Sequence, residues 1–327
     1  MTEAVARASS NVALAKYWGK RDDLLNLPYT GSISITLAGL TTTAAVSFGR
    51  GSGTDRVIVN GAAAGREAHR VRSFLDLVRR RASRSDRAEV EVSTNFPVAA
   101  GLASSASTFA ALALAASRAA GLEMTETELS VLARLGSGSA ARSIPGGYVE
   151  WLSGEESDGS DSYAVQLAPP HYWDIGIVVA ITSEEPKHVG SREGMTLAVK
   201  QSPFFPAWLA SHEADLDAIR EGLLRRDLGI VGCAAEHNCL KMHAVSMAAS
   251  PPLVYWNPTT LAAMQRVLSL RQEGTQAYFT IDAGPQVKII TPVSSRDVVA
   301  RAIAAVPGVR RVLLSEPGPG AELLEAT

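Results

Sequence analysis

Hydrophobic and polar positions alternate through the first stretch of the chain. TTTAAVSFG and DRVIVNG keep a period of two and end in glycine, which predicts strands closed by turns. EAHRVRSFLDLVRRRA switches to helical spacing with a basic face that is read as solvent-facing. AEVEVSTNFP predicts a strand running to Pro97, and GLASSAS (Gly101–Ser107) then leads into the alanine-rich helix TFAALALAASRAA. TETELSVLARLG predicts a further helix, with Thr125 as N-cap and Gly136 as its stop. GGYVEWL and DIGIVVAIT predict strands, the second buried, with the acidic surface loop SGEESDGSDS between them. From Pro186 helical periods take over: PAWLASHEADLDAIREGLLRRD, LGIVGCAAEHNCLKMHAVSMAAS and TLAAMQRVLSLRQEG. AYFTIDA and QVKIITP follow as strands, SSRDVVARAIAAV as a helix and VRRVLLSEPG as a closing strand. Without an internal repeat or a long linker, the pattern predicts two packed α+β halves, residues 1–185 and 186–327.

Composition narrows the setting. With 327 residues, 46% of them hydrophobic, the chain has material for a large core or two domains. A net charge of −2 supplies no basic field for nucleic acid or anionic lipid, so neither is expected as a partner. Two cysteines, Cys233 and Cys239, make no disulfide framework. The N-terminus lacks a secretory pattern, and the apolar run after GLASSAS is too interrupted for a membrane span of about 20 residues. A cytoplasmic protein is expected.

Several chemical motifs fall away on inspection. There is no G-x-x-x-x-G-K-[ST] phosphate loop. Gly136, Gly138 and Ala141 match G-x-G-x-x-A, but a helical pattern precedes them where a dinucleotide fold needs a strand. Cys233 and His237 share one helix face and Cys239 and His243 another, so the four cannot converge on one zinc ion; packing or pocket lining is expected instead. Gly318-Pro319-Gly320 reads as a turn. GLASSAS admits two readings, a capped turn or a cradle for phosphate at a helix start with unpaired N–H groups.

Polar clusters remain. NVALAKYWGKRD holds Asn11, Lys16, Tyr17 and Lys20; the second small-residue turn, GSGSAARS, holds Arg142; VGSREGM holds Ser191 and Arg192; TIDAGPQ puts Asp282 at a strand end. Taken singly, Lys16 reads as a surface cation and Asp-Ala-Gly as a turn. Together they suit a site that holds two polyphosphates and one hydroxyl.

In KYWGKRDDLLNLP with SISITL, NFPVAAGLASSAS, RLGSGSAARSIPGGYVEW, SREGM, EHNCLKMHA, PPLVYW and TIDAGPQVKII, the chain resembles the mevalonate diphosphate decarboxylases of the GHMP kinase superfamily, in order from about residue 10 to about 290. It departs in YTGSIS, where many relatives carry Asn or Asp before Ser-Ile-Ser, and at Ala141, where cysteine is frequent. The resemblance implies an α+β GHMP kinase fold, with an N-terminal half like ribosomal protein S5 domain 2, a C-terminal α/β half and the cleft between them. It implies ATP-dependent decarboxylation of mevalonate 5-diphosphate to isopentenyl diphosphate, with ADP, phosphate and carbon dioxide released. Asp282, Lys16 and Arg142 match the family's catalytic positions. Asn11, Tyr17, Lys20, Ser137, Gly138, Ser139, Ser191 and Arg192 match positions around the substrate. ATP would lie along Ala100, Gly101, Leu102, Ala103, Ser104, Ser105, Ala106 and Ser107, with Mg²⁺ arriving on ATP near Ser105 and no fixed protein metal site. A homodimer is implied. The rivals are a kinase that stops after phosphorylating C3, a decarboxylase of the 5-monophosphate and a non-catalytic binding relative. Both the Asp and the Lys that such kinases lack are present, and neither the triad nor the glycine loop is broken.

Overall fold

The computed structural model describes residues 3–49, 54–96, 103–185 and 188–325. The first part of the chain forms β1 (Glu3–Ala15), β2 (Lys20–Asp22), β3 (Leu27–Pro28), β4 (Ser32–Phe48), β5 (Arg56–Val59), β6 (Ala62–Ala63), α1 (Arg66–Arg81), β7 (Ala88–Thr94), α2 (Ser104–Ala119) and α3 (Glu126–Gly136). A 3-10 helix, Gly138–Ser143, precedes β8 (Tyr148–Trp151) and β9 (Ala164–Ala168). Next come β10 (Ile175–Ile181), α4 (Ser191–Gln201), α5 (Phe205–Arg225), α6 (Leu228–Met247), α7 (Pro258–Gln272), β11 (Tyr278–Ile281) and β12 (Val287–Pro292). The chain closes with α8 (Arg296–Ala304), β13 (Arg311–Ser315) and β14 (Glu322–Leu324).

Two large sheets, beside the small β2-β3 ribbon, organise these elements into the expected α+β architecture. The larger runs β14-β1-β4-β7-β5-β6, with β8 on the far stretch of β4 and β9 beyond it. The smaller runs β11-β12-β10-β13. β14 therefore returns to the first sheet, pairing antiparallel with β1 over Val5–Arg7. In β10 the period of two assigns faces directly. Ile175, Ile177, Val179 and Ile181 meet Ile33 and Ile35 of β4 and Leu216 and Ile219 of α5. Val178 and Ala180 point the other way, toward Val267, Phe279 and Ile303.

Alanine in α2 serves close approach. The helix is covered by β1 and β4 on one side and by α3 and the 3-10 helix on another, and eleven of its sixteen residues are buried. Its alanines form one core with Phe48, Phe74 and Phe109. Thr125 caps α3 as expected, in a full capping box with Glu128.

Some elements differ from the pattern. NVALAKYWGKRD begins inside β1, whose polar Ser9, Ser10 and Asn11 obscure the strand because all three are buried. GSGSAARS is a 3-10 helix where a plain turn is expected. SREGM opens α4, which the polar spacing hides. The basic face of α1 is not wholly solvated. Arg79 is buried against Asp55, with its other amine on Asp76, and Arg70 turns toward the cleft. No helix among the described residues is long and apolar enough to cross a membrane.

Candidate active site

A cavity of about 470 Å³ opens where the two sheets' elements meet. One wall is the start of α2. Ala103 sits just before the helix in the left-handed region (φ 53°), so the chain enters the helix abruptly, and as N-cap its methyl side chain makes no capping hydrogen bond. Ser104 and Ser105 line the cavity there, at the start of a 16-residue helix, where the first amides have no partner within the helix. Ala106 and Ser107, expected on the nucleotide, are not among the residues lining the cavity. Both are buried, and the Ser107 hydroxyl shares a 2.7 Å bond with Thr42 and donates to the Ser104 carbonyl, locking helix to sheet. Ala100, Gly101 and Leu102 are outside the described residues.

The 3-10 helix forms the floor. Ser137, Gly138 and Ser139 line the cavity, and the Ser137 hydroxyl donates to Ser105 at 3.3 Å, joining floor to wall. Gly138 is dictated by its neighbours, since a Cβ there would lie 2.7 Å from the Tyr17 ring and 2.9 Å from Trp151. Tyr17 packs edge-on against Trp151 with ring centroids 4.7 Å apart. Its hydroxyl is buried without a hydrogen-bond partner, and burial raises the phenol's pKa above the usual range. Lys20 lies 3.5 Å from Asp23, and burial, then the Arg192 charge, lowers its pKa.

Asn11 joins β1 to this floor. Its amide donates to the Ser139 carbonyl at 3.2 Å and the Ser143 hydroxyl at 2.8 Å, while its oxygen accepts from Arg142 at 3.3 Å. Arg142 is buried and also donates to Ser32, yet its Nε has no partner. Burial pulls the guanidinium down to about 10, against the pull of Asp282. A buried, incompletely satisfied guanidinium is costly unless an anion completes it.

Asp282 directly follows β11 and faces the cavity between two ammonium groups. Lys16 Nζ lies 2.7 Å from Oδ1 and Lys288 Nζ 3.0 Å from Oδ2. Burial alone would raise the carboxyl pKa, but Lys16 first and Lys288 second outweigh it and hold the group well below the usual carboxylate range. The Lys16 backbone donates to Asn238 of α6 at 2.7 Å, and Lys16 Nζ also donates to the Ala13 carbonyl at 2.8 Å. Asn238 is anchored in turn on Asp215 of α5 at 2.6 Å. Cys239 and His243 of α6 grip Ile281, the residue before Asp282. The Ile281 N–H donates to Cys239 Sγ at 3.1 Å, and its carbonyl faces His243 Nε2 at 3.2 Å. The two thus support the carboxylate's backbone. Among the described residues no group of three or more His, Cys, Asp or Glu could hold a metal.

All eleven expected catalytic and substrate residues line this one cavity, with Ser191 and Arg192 entering from the start of α4. Two residues went unnoticed in the sequence. Arg70 of α1 also lines the cavity, donating to the Gly136 carbonyl at 3.1 Å and lying over the Phe109 ring. Lys288 sits inside the apolar QVKIITP strand, and a lone charge in a buried strand is the signal that marks it.

The donor set fits a nucleotide with its metal. An uncapped helix start, hydroxyls and an unsatisfied buried guanidinium favour polyphosphate, and the scarcity of carboxylates leaves a cation to bind chiefly through that phosphate.

Comparison with known proteins gives a consistent picture. Residues 8–164 match the diphosphomevalonate decarboxylase-like N-terminal domain, and residues 177–312 the mevalonate 5-diphosphate decarboxylase C-terminal domain. A diphosphomevalonate decarboxylase of Candida albicans is 33% identical over 352 aligned positions, covering 98% of this chain and 97% of that one. The crystal structure of mevalonate diphosphate decarboxylase from Staphylococcus aureus superposes with a TM-score of 0.94 at 36% identity, covering 99% of this chain and 98% of that one. A solved complex of MDDEF with MVAPP, AMPPCP and magnesium superposes with a TM-score of 0.93 at 37% identity, covering 99% of both chains.

Proposed function

The chain belongs to the diphosphomevalonate decarboxylase family, and from that premise we propose how its own residues carry out the ATP-dependent decarboxylation of mevalonate 5-diphosphate. The products are isopentenyl diphosphate, ADP, phosphate and carbon dioxide. The observation that carries the assignment of roles is Asp282, held anionic by buried lysines in a cavity that also contains the uncapped start of α2.

A tertiary hydroxyl leaves poorly and a phosphate leaves well, so the C3 oxygen first takes the terminal phosphoryl group of ATP. Asp282 orients that hydroxyl and accepts its proton. Flanked by two ammonium groups it is a weak base, which suffices because in a loose phosphoryl transfer the attacking hydroxyl loses its proton late. Arg142 receives the C1 carboxylate, which completes its unsatisfied Nε. Loss of the C3 phosphate leaves that carbon electron-poor, and the C1–C2 bond pair moves in as carbon dioxide departs. Tyr17, Lys20, Ser137, Gly138, Ser139, Ser191 and Arg192 surround the 5-diphosphate, and Asn11 fixes Arg142. The amides and hydroxyls of Ala103, Ser104 and Ser105 hold the ATP phosphates, and Mg²⁺ bound with ATP neutralises charge there. Residues 1–185 form the nucleotide half in this scheme, and residues 186–327 bring Ser191, Arg192 and Asp282 to it. The same reading makes the protein a cytoplasmic homodimer, which light scattering and cell fractionation test.

The experiment is incubation with ATP and either 5-phospho- or 5-diphosphomevalonate, following ADP and carbon dioxide together. Equal amounts of both products from the diphosphate are expected. ADP without carbon dioxide, with a 3-phosphorylated product accumulating, would identify a kinase that stops halfway. Turnover of the monophosphate in preference would move the substrate assignment.

A further inference from the structure

One lysine beside Asp282 has an obvious place in the chemistry, and the other does not. Lys16 lines the cavity, whereas Lys288 lies behind the carboxylate in β12 and does not. Both lysine side chains are 2% exposed and that of Asp282 is 21% exposed. For simple neutralisation Lys16 is enough. Adding Lys288 gives the trio two buried positive charges and one partly buried negative charge, an arrangement that costs desolvation energy which a hydrophobic residue in this strand would avoid. Two residues on, on the same face of the strand, Ile290 is buried and apolar, so packing alone does not call for a charge there.

We infer that Lys288 is a positioning residue for the reaction: by gripping Oδ2 from behind, it fixes the orientation of Asp282 toward the substrate hydroxyl and keeps it ionised. The inference rests on Asp282 being the proton acceptor. Every charged or titratable group known to face that carboxylate fits. Lys16 comes from the end of β1, Lys288 from β12 and Arg142 from the 3-10 helix, all cationic. Cys239 and His243 face it from α6 and stay neutral, the thiol pushed up to about 11 and the imidazole lowered to about 3, both by burial first. No second anion competes for the lysines in this set. When Asp282 takes the hydroxyl proton, the trio becomes doubly positive, so Lys288 also drives the proton onward and resets the anion for the next turnover.

The test is Lys288→Met, which keeps an unbranched side chain of similar length and removes the charge. Expected are a kcat lower by on the order of 10- to 100-fold, as for a misplaced reacting group, and KM values for ATP and substrate near wild type. The acid limb of the kcat profile should move upward by roughly 1–3 pH units, because a carboxylate that loses a neighbouring cation protonates more readily. A fall in kcat with an unmoved acid limb overturns the inference, leaving Lys288 a packing residue. So does a change confined to KM. Lys288→Gln retains a hydrogen-bond donor without charge and carries the test if the Met variant does not fold; wild-type kcat and pH profile in that variant also overturn it. Asp282→Asn is assayed in parallel. High activity there removes the acceptor reading itself, whereas an inactive Asp282→Asn beside a normal Lys288→Gln removes only the role of Lys288.

Discussion

At one end of the cleft the groups that face a ligand are backbone amides and small hydroxyls at the start of α2, local in sequence and nearly free of formal charge. At the other end they are Asp282, Lys16, Lys288 and Arg142, fully charged, the three cations buried and the carboxylate partly so, gathered from the ends of β1 and β11, the 3-10 helix and β12. In the proposed reaction the first end would hold a polyanion by geometry, through a left-handed residue and side chains small enough to let phosphate approach. The second would change the reactivity of a bound group, which needs charges fixed in a medium of low dielectric. A binding surface can thus be made from one stretch of chain. The reacting centre requires several elements, because no single element can surround a carboxylate with cations on different sides.

Breaking the charged end should have the largest effect. Asp282→Asn preserves shape and removes the acceptor, so kcat should fall by on the order of 10²–10⁴-fold. Nucleotide affinity and the circular dichroism spectrum should stay unchanged. More than half of wild-type turnover in that variant would end the assignment.

Arg192→Ala tests the exposed rim between the two ends. The diphosphate carries little changing charge in the reaction, so the loss should appear in KM more than in kcat. One charge-assisted hydrogen bond is worth about 1.5–3 kcal/mol, or roughly 10- to 150-fold. Any preference for diphosphate over monophosphate should shrink with it. A collapse of kcat at constant KM would instead move Arg192 into the chemical step.

At the amide end, Ser105→Leu should raise KM for ATP by about tenfold, the equivalent of one lost charge-assisted hydrogen bond. Substrate KM should change less, because the obstruction lies on the α2 wall. Unchanged ATP kinetics would return GLASSAS to an ordinary turn.

The smallest effect separates the two ends by pH. Buried His243 supports the charged end, and burial first and Lys16 second lower its pKa to about 3 from an ordinary 6.5. Below about pH 6.5 the unfolded chain therefore binds a proton that the folded chain refuses. Stability should decline as pH falls through that window, by up to about 1.4 kcal/mol per pH unit from this group. Buried His212, also lowered, adds the same sign. Asp282, held below its ordinary range, contributes loss only below about pH 4. Urea titrations at pH 7 and pH 5 measure the slope, and His243→Gln should flatten it. An equal slope in both proteins would show that His243 is not protected from protonation.

Sequence by itself determined most elements and one of the two ends. Period-two strands such as DIGIVVAIT, the capping box at Thr125 and the small residues before α2 are local signals, and local sterics and capping decide them. That Asp282, Lys16 and Arg142 belong to one site was legible as well, but through family resemblance, because each alone reads as a turn or a surface cation. Tertiary structure decided the rest. It buried Ser107 against Thr42, buried Arg79, sent Arg70 into the cleft and hid β1 behind polar residues that are buried. It also put Lys288 against a carboxylate whose other oxygen is taken by a lysine 272 positions earlier in the chain, 288 − 16. The physical reason is that a side chain's charge and role depend on what excludes water from it. Neighbours on other elements supply that exclusion, and spacing along one strand or helix does not record them.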